Sequence, residues 1–228
     1  MEGLHQHDLR LYADPTRVVV RPFQLAWQAS GADLSRVQKL ADDIMSLDRR
    51  TVRAELSVVL ADFADRQALV VVFLCAHCPY VVHVQPELVR LARDYAGASV
   101  GIVGITANDA AQYPQDAPTQ TAAAMRAAGI PFPILYDETQ AVARAYSAAC
   151  TPDFFLFDAQ RRLVYRGQLD ASRPGRGADR PGSGALNGAD LRAALDATLA
   201  GNPVNPDQRA SIGCNIKWRV GNEPEYFR

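Results

Sequence analysis

Residues 68–80 read Ala-Leu-Val-Val-Val-Phe-Leu-Cys-Ala-His-Cys-Pro-Tyr, and this stretch decides the fold. Its first seven residues, Ala68 to Leu74, are all apolar and rich in valine, which is typical of a strand buried on both faces of a sheet. Two cysteines, Cys75 and Cys78, follow directly. A helical face comes next, made by Val84, Leu88, Leu91 and Tyr95. The stretch therefore predicts a strand, a cysteine pair and a helix, with a kink in the helix at Pro86.

The chain beyond this stretch continues to alternate between strand and helix patterns. The predicted elements are a buried strand Ala98–Thr106, a helix through Met125, a short strand Phe132–Tyr136, a helix Thr139–Ala148, a hairpin of Asp153–Phe157 and Leu163–Gly167, a flexible loop Ala171–Gly184, and a helix Ala189–Leu199. Parallel crossovers followed by a hairpin and a closing helix predict an α/β fold, a mixed sheet with helices on both faces.

Three parts are expected along the chain. Residues 67–201 form the α/β domain, and residues 202–228 form a C-terminal tail that holds Cys214 and Trp218. Residues 1–66 form a mainly helical N-terminal extension with one short strand, Arg17–Phe23. Two helices are predicted in it. The apolar face of the first is formed by Val37, Leu40, Ala41 and Ile44, and that of the second by Val52, Leu56, Val59, Leu60 and Phe63.

Composition places the protein among soluble globular chains. Of 228 residues, 48% are hydrophobic and 21% are charged, and the net charge of −1 indicates neither a nucleic-acid nor a membrane partner. No apolar run reaches the roughly 20 residues of a membrane-spanning helix. The polar start of the chain does not resemble a secretory signal, so we expect a cytoplasmic protein. In that reducing compartment its four cysteines are catalytic, metal-binding or simply buried.

The cysteine pair carries the chemistry. Two cysteines three residues apart in a helical turn are neighbours, and they can form and break a disulfide with little backbone movement. A helix start favours a thiolate at the first cysteine, Cys75, and a protonated His77 would stabilise it further. We therefore expect an enzyme that exchanges thiols and disulfides, in which Cys75 attacks and Cys78 resolves the mixed disulfide.

The cysteine pair has other interpretations. It could be two buried thiols without function, or part of a non-catalytic metal- or partner-binding module. Zinc usually takes four ligands, and Cys150 and Cys214 are single and distant, so no metal is expected. Covalent haem needs histidine directly after the second cysteine, where this chain has Pro79. No bound cofactor is expected.

A second motif, Cys150-Thr-Pro-Asp153, precedes the hairpin. Together with other phrases it resembles the redoxin superfamily of thioredoxins and peroxiredoxins, of the alkyl hydroperoxide reductase/thiol-specific antioxidant type. More narrowly, residues 67–228 resemble a peroxiredoxin-like group with CxxC. The matching phrases are CAHCPYV from Cys75, YDETQ from Tyr136, ACTPDFFLFD from Ala149, VYRGQLD from Val164 and SIGCNIKW from Ser211.

The resemblance implies a thioredoxin fold and roles for several residues. Pro152 would be the cis-proline facing the CxxC, Thr151 would offer its backbone to a polypeptide substrate, and Cys150 would lie near the active site. Tyr80 is also expected to contact substrate, and Cys150 and Cys214 are candidate accessory redox thiols or small buried hydrophobes. Expected partners are a protein or small-molecule disulfide or peroxide, and an electron donor such as a thioredoxin system.

The resemblance also raises an antioxidant alternative, a thiol peroxidase. Cys78 takes the position of the peroxidatic cysteine, but the family's proline and threonine before it are replaced by Val71 and Cys75. Dithiol exchange is therefore preferred to peroxide reduction. The buried acid that thioredoxins carry in the preceding strand is absent, which leaves Glu87 or Asp153 as candidates for moving protons.

The N-terminal part departs from the redoxin pattern, because the β-hairpin that usually opens the domain is missing. Residues 14–66 instead resemble, more weakly, the N-terminal segment of β-mannoside phosphorylases, through Arg17–Phe23 and Val59–Asp65. A gene fusion and convergent helical composition are both consistent with this. The expected role is to cover the sheet edge that the hairpin would have filled.

Overall fold

The computed structural model describes residues 63–175 and 181–227. The strand and helices predicted for the N-terminal extension lie outside these residues, apart from Phe63. The domain boundaries at residues 66 and 201 stay predictions. No helix in the described ranges is both long and apolar enough to cross a membrane.

Strands and helices alternate along the described chain in the predicted order. They are β1 (Ala68–Phe73), α1 (Pro79–Asp94), β2 (Val100–Thr106), α2 (Pro118–Ala127), β3 (Ile134–Tyr136), α3 (Ala141–Ala145), β4 (Cys150–Thr151), β5 (Asp153–Asp158), β6 (Leu163–Gly167), α4 (Ala189–Leu199) and β7 (Cys214–Asn215), with single 3₁₀ turns at Pro114–Asp116 and Glu225–Phe227.

The main sheet has five strands in the order β3-β2-β1-β5-β6. Strands β1, β2 and β3 run parallel, whereas β5 is antiparallel to β1 and β6 is antiparallel to β5. All six residues of β1 are buried, because this strand lies at the centre of the sheet with both faces covered. The α/β thioredoxin fold expected from the sequence is confirmed.

Each face of the sheet packs against its own hydrophobic core. On one face, α1 and α4 bury apolar side chains against alternate residues of β1, such as Val70 and Val72. On the other face, Val71 and Phe73 pack with Phe155 and with residues of α3. This second core also contains Ile216 and Trp218 of the tail, both nearly fully buried. The C-terminal tail is therefore part of the folded core.

Helix α3 is shorter than the predicted Thr139–Ala148 for two local reasons. Gln140 adopts a left-handed conformation with φ 60°, so helical geometry begins only after it. At the other end Ser147 has φ 51°, which ends the helix. The Gln140 side chain is buried and donates to the carbonyl oxygens of Ala107 and Lys217, which ties this turn to the tail.

Candidate active site at the Cys75–Cys78 turn

The two cysteines lie in the turn between β1 and α1. Cys75 is 2% exposed and Cys78 is 1% exposed, whereas the His77 side chain between them is 39% exposed. Cys78 is the N-cap of α1 and has extended backbone angles, φ −64° and ψ 123°. Helical geometry is disfavoured there because a proline follows, and Pro79 itself suits the first helical position. The helix thus begins one turn later than the sequence analysis assumed, and it favours a thiolate at Cys78, not at Cys75.

Thr151 contacts both cysteines. Its Oγ1 lies 3.6 Å from Cys75 Sγ, and its carbonyl oxygen lies 3.1 Å from Cys78 Sγ. The Thr151–Pro152 peptide bond is cis, as the resemblance implied. The motif that precedes β5 is thereby placed directly against the cysteine turn.

The surroundings of Cys78 stabilise its thiolate. The Cys75 thiol donates to it, and the Thr151 hydroxyl and the backbone N–H groups of Val81 and Cys214 add further donors. Burial and the nearby Thr151 carbonyl oxygen oppose ionisation, because both favour the neutral thiol. The donors outweigh them and lower the pKa of Cys78 to about 4.

Cys75 has the opposite preference. Its hydrogen bond to Cys78 requires the proton to stay on Cys75, burial disfavours its thiolate, and the Asp116 carboxylate adds like-charge repulsion. These effects raise the pKa of Cys75 well above its usual range. These surroundings favour a reduced pair with the negative charge on Cys78 and the proton on Cys75.

A buried acid lies beside the turn, and sequence analysis missed it. His77 Nδ1 and Asp116 Oδ1 are 2.7 Å apart, and the Asp116 side chain is fully buried. Asn108 Nδ2 donates to the other Asp116 oxygen at 2.9 Å, and Asn108 Oδ1 accepts from the Lys217 backbone N–H at 2.9 Å. Hydrogen bonds thus connect the tail to Asp116, whose other oxygen contacts His77. The only signal in the sequence is a lone acid between two prolines in a polar loop.

The two acids named from the sequence are engaged elsewhere. Glu87 is buried but forms ion pairs with Arg90 and Arg192 at 2.6 and 2.7 Å. Asp153 lies 3.7 Å from Arg166, and burial raises the pKa of Asp153. Both oxygens of Glu87 are thus engaged by arginine side chains, and no contact joins Glu87 to the cysteine pair among the described residues.

Cys75, His77 and Asp116 also bring a sulfur, a ring nitrogen and a carboxylate oxygen within 4.8 Å of one another. Ligand atoms around a tetrahedral zinc ion must stand further apart than a direct hydrogen bond allows, since each lies about 2.0–2.3 Å from the metal. The 2.7 Å distance between His77 Nδ1 and Asp116 Oδ1 is shorter than that spacing. We therefore interpret the cluster as a proton-transfer arrangement.

The other residues named from the sequence are placed around this turn. Tyr80 lines a pocket with Pro152 and Ile212. Cys150 is buried, its Sγ lies 3.7 Å from the Pro152 carbonyl oxygen, and burial raises its pKa to about 12. Cys214 is half-buried and sits on β7, opposite Thr151 of β4. The backbone of Thr151, expected to receive a substrate, is thus already paired with the chain's own tail.

The redoxin family model matches residues 51–181, more than half of the chain. The chain belongs to the redoxin family. This redoxin is therefore a thioredoxin-like redox protein. The family match begins at residue 51, inside the stretch expected to be an extension.

Two solved structures are close relatives of this redoxin. An uncharacterized conserved protein from Geobacillus kaustophilus is 52% identical, with 72% of this chain and 84% of that chain covered and a TM-score of 0.67. A hypothetical protein from Sinorhizobium meliloti 1021 is 48% identical, with 74% and 89% covered and a TM-score of 0.68. None of the curated proteins compared with this chain matches it.

We expect His77→Ala to make the Cys75–Cys78 couple more reducing. The His77 ring lies within 4.8 Å of Cys75 Sγ and stabilises the reduced form of the pair, so its loss favours the disulfide by about tenfold, or about 30 mV in midpoint potential. Glutathione titration of the variant measures this shift. Asp116→Asn should change the potential as well, because it removes the carboxylate that contacts the ring. An unchanged potential in both variants would remove the pair from the mechanism.

Proposed function

We propose that this redoxin catalyses reversible thiol–disulfide exchange at Cys75 and Cys78. The observation that carries the proposal is the asymmetry of the pair. One cysteine is surrounded by hydrogen-bond donors and the other is held as a thiol that points at it. A disulfide-reducing site needs both species: a thiolate that attacks the substrate disulfide, and a thiol that later resolves the mixed disulfide.

The reaction follows from this asymmetry. The Cys78 thiolate attacks one sulfur of a substrate disulfide, and the other substrate sulfur leaves as a thiolate. Cys75 then loses its proton and attacks Cys78 Sγ, which forms the Cys75–Cys78 disulfide and releases the second substrate thiol. This order reverses the one expected from the sequence, because α1 begins at Pro79. The His77–Asp116 pair is placed to receive the proton of Cys75.

Substrates of this reaction are proteins or small molecules that carry a disulfide. Electrons come from a dithiol donor such as a thioredoxin system, and the chemistry requires no bound cofactor. The proposal includes a reducing, cytoplasmic setting, in which free cysteines such as these four stay reduced.

A redox titration tests the proposal. The protein is equilibrated across a glutathione or dithiothreitol series, alkylated and mapped by mass spectrometry. We expect one reversible two-electron transition in the peptide that contains Cys75 and Cys78, with Cys150→Ser as a matched control that leaves the midpoint unchanged. Absence of a disulfide in that peptide at every poise would overturn the proposal.

Peroxide reduction is the second candidate function. The observation that favours it is the stabilised thiolate at Cys78, the position of the peroxidatic cysteine in related families. In that reaction Cys78 would attack a peroxide oxygen, become a sulfenic acid, and condense with Cys75 to release water. Rapid peroxide consumption by Cys75→Ser, with sulfenic acid trapped at Cys78, would move the assignment to a peroxidase.

A further inference from the structure

Cys214 in the tail lies against the cysteine pair. Strand β7 pairs antiparallel with β4, and Cys214 stands directly opposite Thr151. Residues opposite each other in a sheet project their side chains to the same face, so Cys214 shares the face of Thr151, whose hydroxyl reaches Cys75. The side chain of Cys214 packs against the core that contains Cys75 and Cys78. Its backbone N–H donates to Cys78 Sγ.

The neighbouring glycine makes this close approach possible. A Cβ atom at Gly213 would come within 2.6 Å of the Thr151 carbonyl carbon and closer still to its oxygen. Real Cβ atoms do not approach a backbone in this way, so only glycine allows β7 to lie this near β4. The tail is thereby held with Cys214 next to Cys78.

The thiols of Cys75, Cys78 and Cys214 differ in solvent exposure. Cys75 and Cys78 are 2% and 1% exposed, so they offer a protein partner far less surface than Cys214 does. Cys214 is half-buried, and the nearby Ile212 is 52% exposed. A partner that docks on the tail therefore meets Cys214 before it meets the pair.

We propose that Cys214 is a third redox-active thiol that exchanges with the Cys75–Cys78 disulfide and connects it to a dithiol protein partner. In the exchange, the Cys214 thiolate attacks Cys78 Sγ and the bond between Cys75 and Cys78 breaks. Cys75 leaves as a thiolate and takes up the proton that Cys214 gave up, so one disulfide replaces another. The Thr151 hydroxyl, 3.6 Å from Cys75 Sγ, is placed to stabilise that leaving thiolate.

The partner then completes the transfer. A thiolate of its dithiol attacks the more accessible Cys214 sulfur, Cys78 leaves as a thiolate, and the partner closes its own disulfide to release Cys214. Two electrons pass from the partner to this protein, and the reverse sequence oxidises a partner. The inference rests on the proposed function, because it requires a Cys75–Cys78 disulfide.

Cys150 provides the matched control. Successive residues of a strand project to opposite faces, so Cys150, which pairs with Asn215, points away from the face that Thr151 and Cys214 share. Its Sγ approaches the Pro152 carbonyl oxygen instead. Cys150 is only one residue away from Thr151, but its thiol faces the other way.

The first test traps the exchanged disulfide. Cys75→Ser in the full chain is equilibrated with oxidised glutathione, and its disulfides are mapped by mass spectrometry. We expect a Cys78–Cys214 disulfide, which persists when Cys150→Ser is added and is replaced by glutathionylated Cys78 when Cys214→Ser is added. Cys75→Ala serves as a second background, because serine places a hydroxyl in a buried position. Glutathionylated Cys78 beside reduced Cys214 in both backgrounds, or a Cys78–Cys150 disulfide, would overturn the proposal.

The second test separates rate from equilibrium. Cys214→Ser should slow reduction of the Cys75–Cys78 disulfide by reduced thioredoxin about tenfold or more, while the midpoint potential of the pair stays unchanged. Cys150→Ser should change neither quantity. Equal rates for wild type and Cys214→Ser would reject the relay and leave dithiol exchange standing. If the wild-type pair forms no disulfide at all, the proposed function itself fails.

Discussion

Cys78→Ser should reduce the rate of disulfide reduction by about a thousandfold or more, because it removes the attacking thiolate. Cys75→Ser should behave differently. It keeps the thiolate at Cys78, with a serine hydroxyl as replacement donor, so one rapid attack occurs and turnover stops; the mixed disulfide itself persists when Cys214→Ser is added. Single-turnover kinetics with a chromogenic aromatic disulfide, followed by mass spectrometry, distinguishes the two variants.

The pH profile of the wild-type attack provides the control. A pKa of about 4 means that the Cys78 thiolate is present at every pH above that value and is lost as the pH falls through it. The rate should therefore be constant from about pH 6 upward. An ordinary cysteine, with a pKa near 8.5, gives a rate that climbs until about pH 9. Such a climb, or full activity in Cys78→Ser, would return the attacking role to Cys75.

Gly213→Ala should detach the tail from β4 and expose the cysteine pair. The new methyl group would overlap backbone atoms of Thr151, which cannot rotate away as a side chain can. We expect alkylation of Cys75 and Cys78 by iodoacetamide to accelerate about tenfold or more. Overpacking of this kind costs about 1–3 kcal/mol, which lowers the melting temperature by roughly 2–12 °C in a protein of this size.

Gly97→Ala is the matched control, since no atom lies within 4 Å of a Cβ placed at Gly97. It should leave alkylation unchanged and shift stability by no more than about 0.5 kcal/mol. Alkylation rates that are equal in wild type and Gly213→Ala would contradict the view that the tail covers the pair.

The strands and helices whose own residues carry a clear apolar pattern could be predicted. The valine-rich run predicted β1 because a central strand must be apolar on both faces, and Ala189–Leu199 was predicted with the bounds that α4 has. The start of α1 was also available in the sequence, since Pro79 disfavours helical geometry at Cys78. A helix that includes both cysteines predicts the thiolate at Cys75, whereas a helix that begins at Pro79 favours it at Cys78.

The long-range parts of the site could not be predicted. Strands β4 and β7 have two residues each, too few to show a periodic pattern. The tail that carries β7 is anchored by Ile216 and Trp218 in the second core, a contact that no local pattern predicts. Asp116 lies in an irregular loop, where an acid is usually solvated. Its role follows only from its 2.7 Å distance to His77 in the folded protein.

The tail's position on the cysteine turn also has a consequence for biosynthesis. After Cys78 leaves the peptidyl transferase centre, the ribosome must add 136 residues before it reaches Cys214. At about 5–20 residues per second this takes about 7–27 s. During that interval β1 and α1 can already fold on the nascent chain, and the reactive turn is uncovered. In a newly made molecule Cys75 and Cys78 can therefore react with glutathione or with other disulfides until Cys214 and its neighbours emerge and fold over the turn.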